Sequence, residues 1–150
     1  MLRRARSSPA QTFVLFPLAV LGAELVRGRR PRIRPAGLAV MAAGYLLYRG
    51  AGAYRHARAG GHGMESTPRA LVTDGPYALT RNPMYLGHLV FLAGLMGATG
   101  SPLAFAFFAR QLARFRERVA RDEERLERLY GDDYRAYRAR VQRWAGPRTP

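Results

Sequence analysis

Between Met84 and Ala109 the chain carries no Asp, Glu, Lys or Arg over 26 residues. A run of that length cannot be left in water and must be buried in protein or in lipid. Gly97, Gly100 and Pro102 punctuate its middle. Glycine and proline are the strongest local breakers of regular structure. The run therefore reads as a helical hairpin turning at 97–102, with a single tilted, kinked helix as the alternative.

Two shorter apolar runs precede it, Phe13 to Val26 and Pro35 to Tyr48, each of 14 residues. A bilayer-crossing helix needs about 20. Gln11 and Thr12 lengthen the first run, and arginines that snorkel at the ends lengthen both. Both are read as membrane helices, with interfacial or buried helices as the alternative. Glu24 reads as an interfacial acid. The basic start, Met1 to Ser8, followed by an apolar run is also how a signal peptide looks. No small-residue cleavage site follows, so a retained helix is expected.

The whole 150-residue chain reads as one all-α domain. It is expected to be a polytopic membrane helical bundle with apolar runs at about 13–26, 35–48, 84–97 and 101–115. A Gly-rich polar loop would span 50–83, and C-terminal amphipathic helices 116–144. The net charge is +15, and all 25 basic side chains are arginine. Such a charge invites a nucleic-acid partner. Several uncharged runs argue against one, and arginine beside apolar surface suits anionic lipid headgroups. There is no cysteine, which excludes disulfides and thiol chemistry, and three scattered histidines give no structural zinc site.

After Phe105 the apolar positions Leu112, Phe115, Val119, Leu126 and Leu129 recur at helical spacing among arginine and glutamate. Gly131 is a C-terminal stop. Asp132 and Asp133 start a further helix, with Tyr134, Tyr137 and Val141 on one face. This tail also reads as a basic amphipathic helix lying on anionic lipid. The uncharged hairpin turn is expected outside, with both hairpin ends cytoplasmic. The Arg27–Arg34 turn then falls outside, against the positive-inside tendency.

The most chemically specific segment lies at the entrance to the long run: Gly75-Pro76-Tyr77-Ala78-Leu79-Thr80-Arg81-Asn82-Pro83-Met84-Tyr85-Leu86-Gly87. It resembles the motif of the isoprenylcysteine carboxyl methyltransferase and phospholipid methyltransferase superfamily. That pattern is Gly-Pro-Tyr, a spacer, then Arg-His/Asn-Pro-x-Tyr-x-Gly. A second block, Asp122-Glu123, Leu126, Tyr130-Gly131, Tyr134, Tyr137 and Val141, resembles the superfamily's C-terminal signature. The two blocks together cover roughly half the chain, and in this order they are more specific than either alone.

The resemblance implies a small integral-membrane enzyme, and the compact, all-arginine chain is expected to sit in a bacterial inner membrane. It would use S-adenosylmethionine, act on a hydrophobic, lipid-like or prenylated acceptor, bind no nucleic acid, and keep its cofactor site on the cytoplasmic side. It implies cofactor contacts from Arg69, Ala70, Leu71 and Val72, from Gly75 and Tyr77, and from Asn82, Pro83, Met84 and Tyr85. It adds Asp122 and Glu123, and His62 as a polar contact from the Gly-rich loop. Arg118 and Arg81 are the expected catalytic residues, Arg118 holding the acceptor.

Physical chemistry is compatible with these roles. Methyl transfer from a sulfonium is an in-line displacement that requires positioning and exclusion of water. Pro76 and Pro83 bias the residues before them away from helix and expose backbone. The start of the third run offers free N–H groups to an anion, and a carboxylate suits an ammonium. Asn82 can hydrogen-bond but cannot become cationic, so a proton-transferring histidine is not expected there. Plainer readings remain open. Leu71 and Val72 could be ordinary packing, Tyr85 an interfacial aromatic, Arg81 a lipid-phosphate contact, and the acids a solvated helix face paired with Arg118, Arg121 and Arg128. Two rival functions are an NADPH-dependent sterol-reductase-like enzyme, with a related Arg-His-Pro-x-Tyr segment, and a non-catalytic membrane scaffold.

Overall fold

The computed structural model describes residues 8–28, 33–60 and 68–144. Among these, all regular structure is helical: α1 (Ser8–Ala10), a π-helical turn (Gln11–Leu15), α2 (Phe16–Val26), α3 (Pro35–Ala59), α4 (Pro76–Leu79), α5 (Pro83–Thr99) and α6 (Pro102–Arg140). The chain divides into two compact units, Met1–Leu46 with Gly87–Ala113, and Leu47–Leu86 with Arg114–Pro150. Helices α3, α5 and α6 each contribute to both.

In the first unit, the π turn precedes Pro17 for a physical reason. Proline has no N–H, and in an α-helix its ring clashes with the carbonyl four residues back, here that of Phe13. The Phe16 N–H instead reaches the Gln11 carbonyl, widening the turn before the proline. The hairpin turn falls where the breakers stand. Helix α5 ends at Gly100, whose φ of 61° suits only glycine. The Ser101 carbonyl then accepts from the Phe105 N–H, and Pro102 occupies the first position of α6. Glu24, read as interfacial, is buried instead, accepting a 2.9 Å hydrogen bond from the Ser101 hydroxyl. That bond ties α2 to the hairpin turn.

Phe16, Val20, Phe91, Leu92, Leu95 and Ala104 form this unit's core. Phe16 stacks on Phe107 at 4.2 Å between ring centroids. His88 is buried against Phe13 at 4.6 Å. Helices α3 and α5 touch backbone to backbone. A Cβ on Gly44 would lie 2.4 Å from the Phe91 nitrogen, and one on Gly94 2.5 Å from the Met41 nitrogen. Gly37 and Gly44 repeat at seven residues on one helix, as do Gly87 and Gly94 on the other. The result is a seam of small residues of the kind that lets helices approach closely.

In the second unit, α3 does not end near Tyr48. It runs to Ala59, so 50–59 is helix rather than loop. An interior glycine costs about 1 kcal/mol. Packing offsets it here: Ala51 and Ala59 are buried, and Gly52 receives the Met84 side chain. Gly60, at φ 65°, ends the helix. Helix α6 breaks at Gly131, with φ 49° and ψ −121°. Beyond it Tyr134, Tyr137 and Val141 are buried together, the face their spacing predicts.

Among the described residues no helix is both long and apolar enough to cross a membrane. Helix α3 has 25 residues but carries Arg49, Arg55 and Arg58, and apolar α5 has only 17.

Candidate active site

The motif lies in the second unit, fixed by the tail of the same unit. Pro76 opens α4 and Pro83 opens α5, leaving an extended step at Thr80. The Arg81 N–H donates to the Gln142 carbonyl at 2.9 Å. The Thr80 hydroxyl donates to the Arg143 carbonyl at 3.1 Å, and the Asn82 amide to the same oxygen at 3.2 Å. The Tyr137 hydroxyl donates to the Tyr77 carbonyl and the Tyr130 hydroxyl to the Pro68 carbonyl, both at 2.7 Å. The left-handed Gly75, at φ 55°, has the Tyr54 ring over it.

Charge completes the tie. Arg81 and Glu123 form an ion pair at 3.0 Å, with only 8% and 7% of their side chains exposed. The Arg143 guanidinium grips the other Glu123 oxygen through Nη2 at 2.7 Å and Nε at 3.1 Å. Arg81 also donates through Nη1 to the Arg138 carbonyl. Both Glu123 oxygens are thus committed to arginine. The Nε–H of the buried Arg81 fork has no acceptor among the described residues.

Beside this network is a pocket of about 740 Å³, open mouth included. Leu71, Val72, Tyr77, Pro83, Met84 and Leu126 give it apolar and aromatic walls, while Arg55, Arg81, Asn82, Asp122 and Arg125 give it polar ones. Asp122 accepts a 2.6 Å hydrogen bond from the Tyr85 hydroxyl, and the Arg118 guanidinium lies against that same hydroxyl. Burial pushes the Tyr77 phenol up to about 12, against the opposing field of Arg55. Burial likewise raises Tyr137. These phenols stay neutral near pH 7 and act as hydrogen-bond donors.

The structure therefore gathers Leu71, Val72, Tyr77, Arg81, Asn82, Pro83, Met84, Tyr85 and Asp122 around one pocket. Other expected site residues stand elsewhere. Arg69 and Ala70 are exposed, and the Arg69 N–H ties back to the Ala59 carbonyl. Gly75 shapes the turn, and Arg118 reaches the pocket through Tyr85. The acid pair is split: Asp122 lines the pocket, whereas Glu123 is the buried counter-ion of two arginines. His62 lies outside the described residues. Sequence reasoning missed Arg55, hidden by ending α3 too early, and Arg143, whose partners are 20 and more residues away. The run of helical spacing through Arg55 was the available signal for the first. No local pattern marks the second.

The donor set fits S-adenosylmethionine. The Arg81 guanidinium suits a carboxylate, Asp122 suits an ammonium, and the apolar and aromatic walls suit an adenine.

The phospholipid methyltransferase family profile matches residues 36–133. A protein-S-isoprenylcysteine O-methyltransferase from Schizosaccharomyces pombe is 35% identical over 72 residues, 47% of this chain and 30% of that protein. A protein-S-isoprenylcysteine O-methyltransferase B from Arabidopsis thaliana is also 35% identical over 72 residues, 36% of its length. The Mus musculus protein-S-isoprenylcysteine O-methyltransferase is 32% identical over 78 residues, 51% of this chain and 28% of that protein. The chain thus spans about a third of the length of the curated relatives it matches. No solved structure matches it.

Proposed function

The chain belongs to the phospholipid methyltransferase family, and on that premise we propose that it methylates the carboxylate of a lipid-like or prenylated acceptor at a membrane. S-adenosylmethionine, when bound, supplies a methyl group made electrophilic by its sulfonium. The observation that carries the reading is one pocket lined by both Asp122 and Arg81. An acid and a cation so placed complement the two charged ends of an amino-acid moiety.

Each residue then has a task. Asp122 holds the ammonium and is itself oriented by the Tyr85 hydroxyl. Arg81 offers its guanidinium to the carboxylate, held in place by Glu123 and the Arg138 carbonyl. Leu71, Val72, Tyr77 and Met84 exclude water. Arg118 suits an acceptor carboxylate, since its fork can take two oxygens at once. A carboxylate is already nucleophilic near neutral pH, whereas an amine must first lose a proton. Asn82, with no titratable proton, is consistent with the first. Membrane action is supported by the apolar side chains that the first unit turns outward, such as Leu18 at 61% and Leu25 at 66% exposure.

Calorimetric titration of S-adenosylmethionine and of NADPH into detergent-purified protein tests the reading. Binding of S-adenosylmethionine is expected, with affinity at least tenfold weaker in Asp122→Asn. Binding of NADPH alone overturns the proposal in favour of a reductase, and binding of neither in favour of a scaffold.

A further inference from the structure

Helix α6 segregates its charges. At about 100° per residue, Arg114, Arg118, Arg121, Arg125 and Arg128 fall within an arc of roughly 80°. Glu117 and Glu124 border one edge of the arc and Asp122 the other, while Glu123 and Glu127 lie on the far side. Arg114, Arg121 and Arg128 repeat every seven residues and are exposed. Arg118 and Arg125 are half-buried, and Arg125 lines the pocket.

The plain account of such arginines is intrahelical pairing. Glu117 and Glu124 stand four residues before Arg121 and Arg128, the favoured spacing and polarity for it. Neither pair forms, and Arg121, Arg125 and Arg128 have no carboxylate partner among the described residues. Other acids of the helix pair with tail arginines instead, Glu127 with Arg138 and Glu123 with Arg143. Within the arc, Arg121, Arg125 and Arg128 thus form a row of guanidinium groups with no carboxylate bound to them. Leu129, 53% exposed, stands at its edge. Arginine forks match phosphate oxygens, and an exposed leucine beside them suits an interface where headgroup meets acyl chain. A nucleic-acid duplex offers phosphates but no acyl layer beside them for that leucine.

We propose that the Arg121–Arg125–Arg128 face of α6 is a docking surface for the phosphates of anionic phospholipids, holding a pocket wall at headgroup level. This rests on the membrane part of the function proposed above and is independent of which cofactor binds.

The test is binding of phosphatidylglycerol and of phosphatidylcholine to the detergent-purified full chain, by native mass spectrometry after equilibration. Phosphatidylglycerol is expected to bind more tightly, with a preference that shrinks as ammonium acetate is raised. Each arginine at an anionic surface contributes roughly fivefold, so R121Q/R128Q is expected to lose about 30-fold of phosphatidylglycerol affinity. R121K/R128K keeps the charge and should keep most of the preference, and circular dichroism checks that both variants fold. Equal binding of the two lipids overturns the proposal. So does a preference that survives R121Q/R128Q, or a DNA duplex that outcompetes phosphatidylglycerol. Calorimetry keeps this separate from the methyl-transfer reading. R121Q/R128Q should bind S-adenosylmethionine as the parent does. A parent that binds no S-adenosylmethionine sinks the methyl-transfer reading and leaves the lipid surface standing.

Discussion

Two adjacent acids, Asp122 and Glu123, show how one helical step decides a residue's work. Glu123 neutralises Arg81 in a place where neither side chain is more than 8% exposed. Removing one member of such a pair strands the other's charge, at a cost of about 3–5 kcal/mol. Glu123→Gln should therefore lower unfolding free energy by about 3 kcal/mol, the amide keeping an acceptor. Asp122→Asn keeps an acceptor for Tyr85 and loses only the charge on that bond, about 1 kcal/mol, and should cost cofactor affinity instead. Denaturant unfolding and calorimetry on both variants check this, and the opposite pattern would exchange the two roles. Tyr77 gives a pH prediction. Its folded pKa is raised to about 12, chiefly by burial, from the ordinary 10 of a tyrosine. Below pH 10 both states are protonated and its contribution is complete. Between 10 and 12 only the unfolded state releases the proton, so stability falls as pH rises. The slope from Tyr77 alone is about 1.4 kcal/mol per pH unit. With no lysine in the chain, tyrosines dominate this window. Denaturant midpoints measured across it should fall together with the appearance of phenolate absorbance. A flat midpoint would mean that Tyr77 is solvated.

At the scale of elements, what could be read locally was legible and what depends on a distant partner was not. The turn at Gly100–Pro102 and the break at Gly131 are written in residues that few other sequences could replace. The motif and Asp122 are likewise contiguous patterns. The extension of α3 through Gly50 and Gly52 contradicts local propensity and is decided by packing. Arg143 acts through partners that sequence spacing does not announce. The glycine seam is intermediate: its seven-residue repeat is visible in sequence, but only geometry shows that it brings α3 and α5 together. Gly94→Ala should destabilise by about 3 kcal/mol, the upper end for overpacking. The new methyl would meet the backbone nitrogen of Met41 at 2.5 Å and the Gly37 carbonyl at 2.8 Å, and backbone cannot rotate away. By contrast Gly22→Ala, where nothing lies within 4 Å, should be neutral or slightly stabilising. Thermal unfolding of the pair tests the seam, and equal melting temperatures would show that the helices separate at little cost.

For the whole molecule, the motif's anchors include several from the chain's last described stretch, beyond the end of the family match at residue 133. Tyr137, Arg138, Gln142 and Arg143 supply the bonds that hold Tyr77 and Thr80–Asn82. The first unit has its own core and its own ties, including Glu24 with Ser101. Stability in proteins is distributed over local cooperative segments, so loss of the tail should fall on one unit. A chain ending after Asp133 should lose amide protection across 76–86, bind no S-adenosylmethionine, and leave Glu123 with Arg81 alone. Amides of 89–98 and 103–109 should keep their protection. Hydrogen exchange read by mass spectrometry on the full and shortened chains distinguishes this from global collapse. Uniform loss of protection would mean that the two units unfold as one. Full protection of 76–86 with S-adenosylmethionine still bound would mean that the motif holds its shape unaided, leaving the tail without a part in the site.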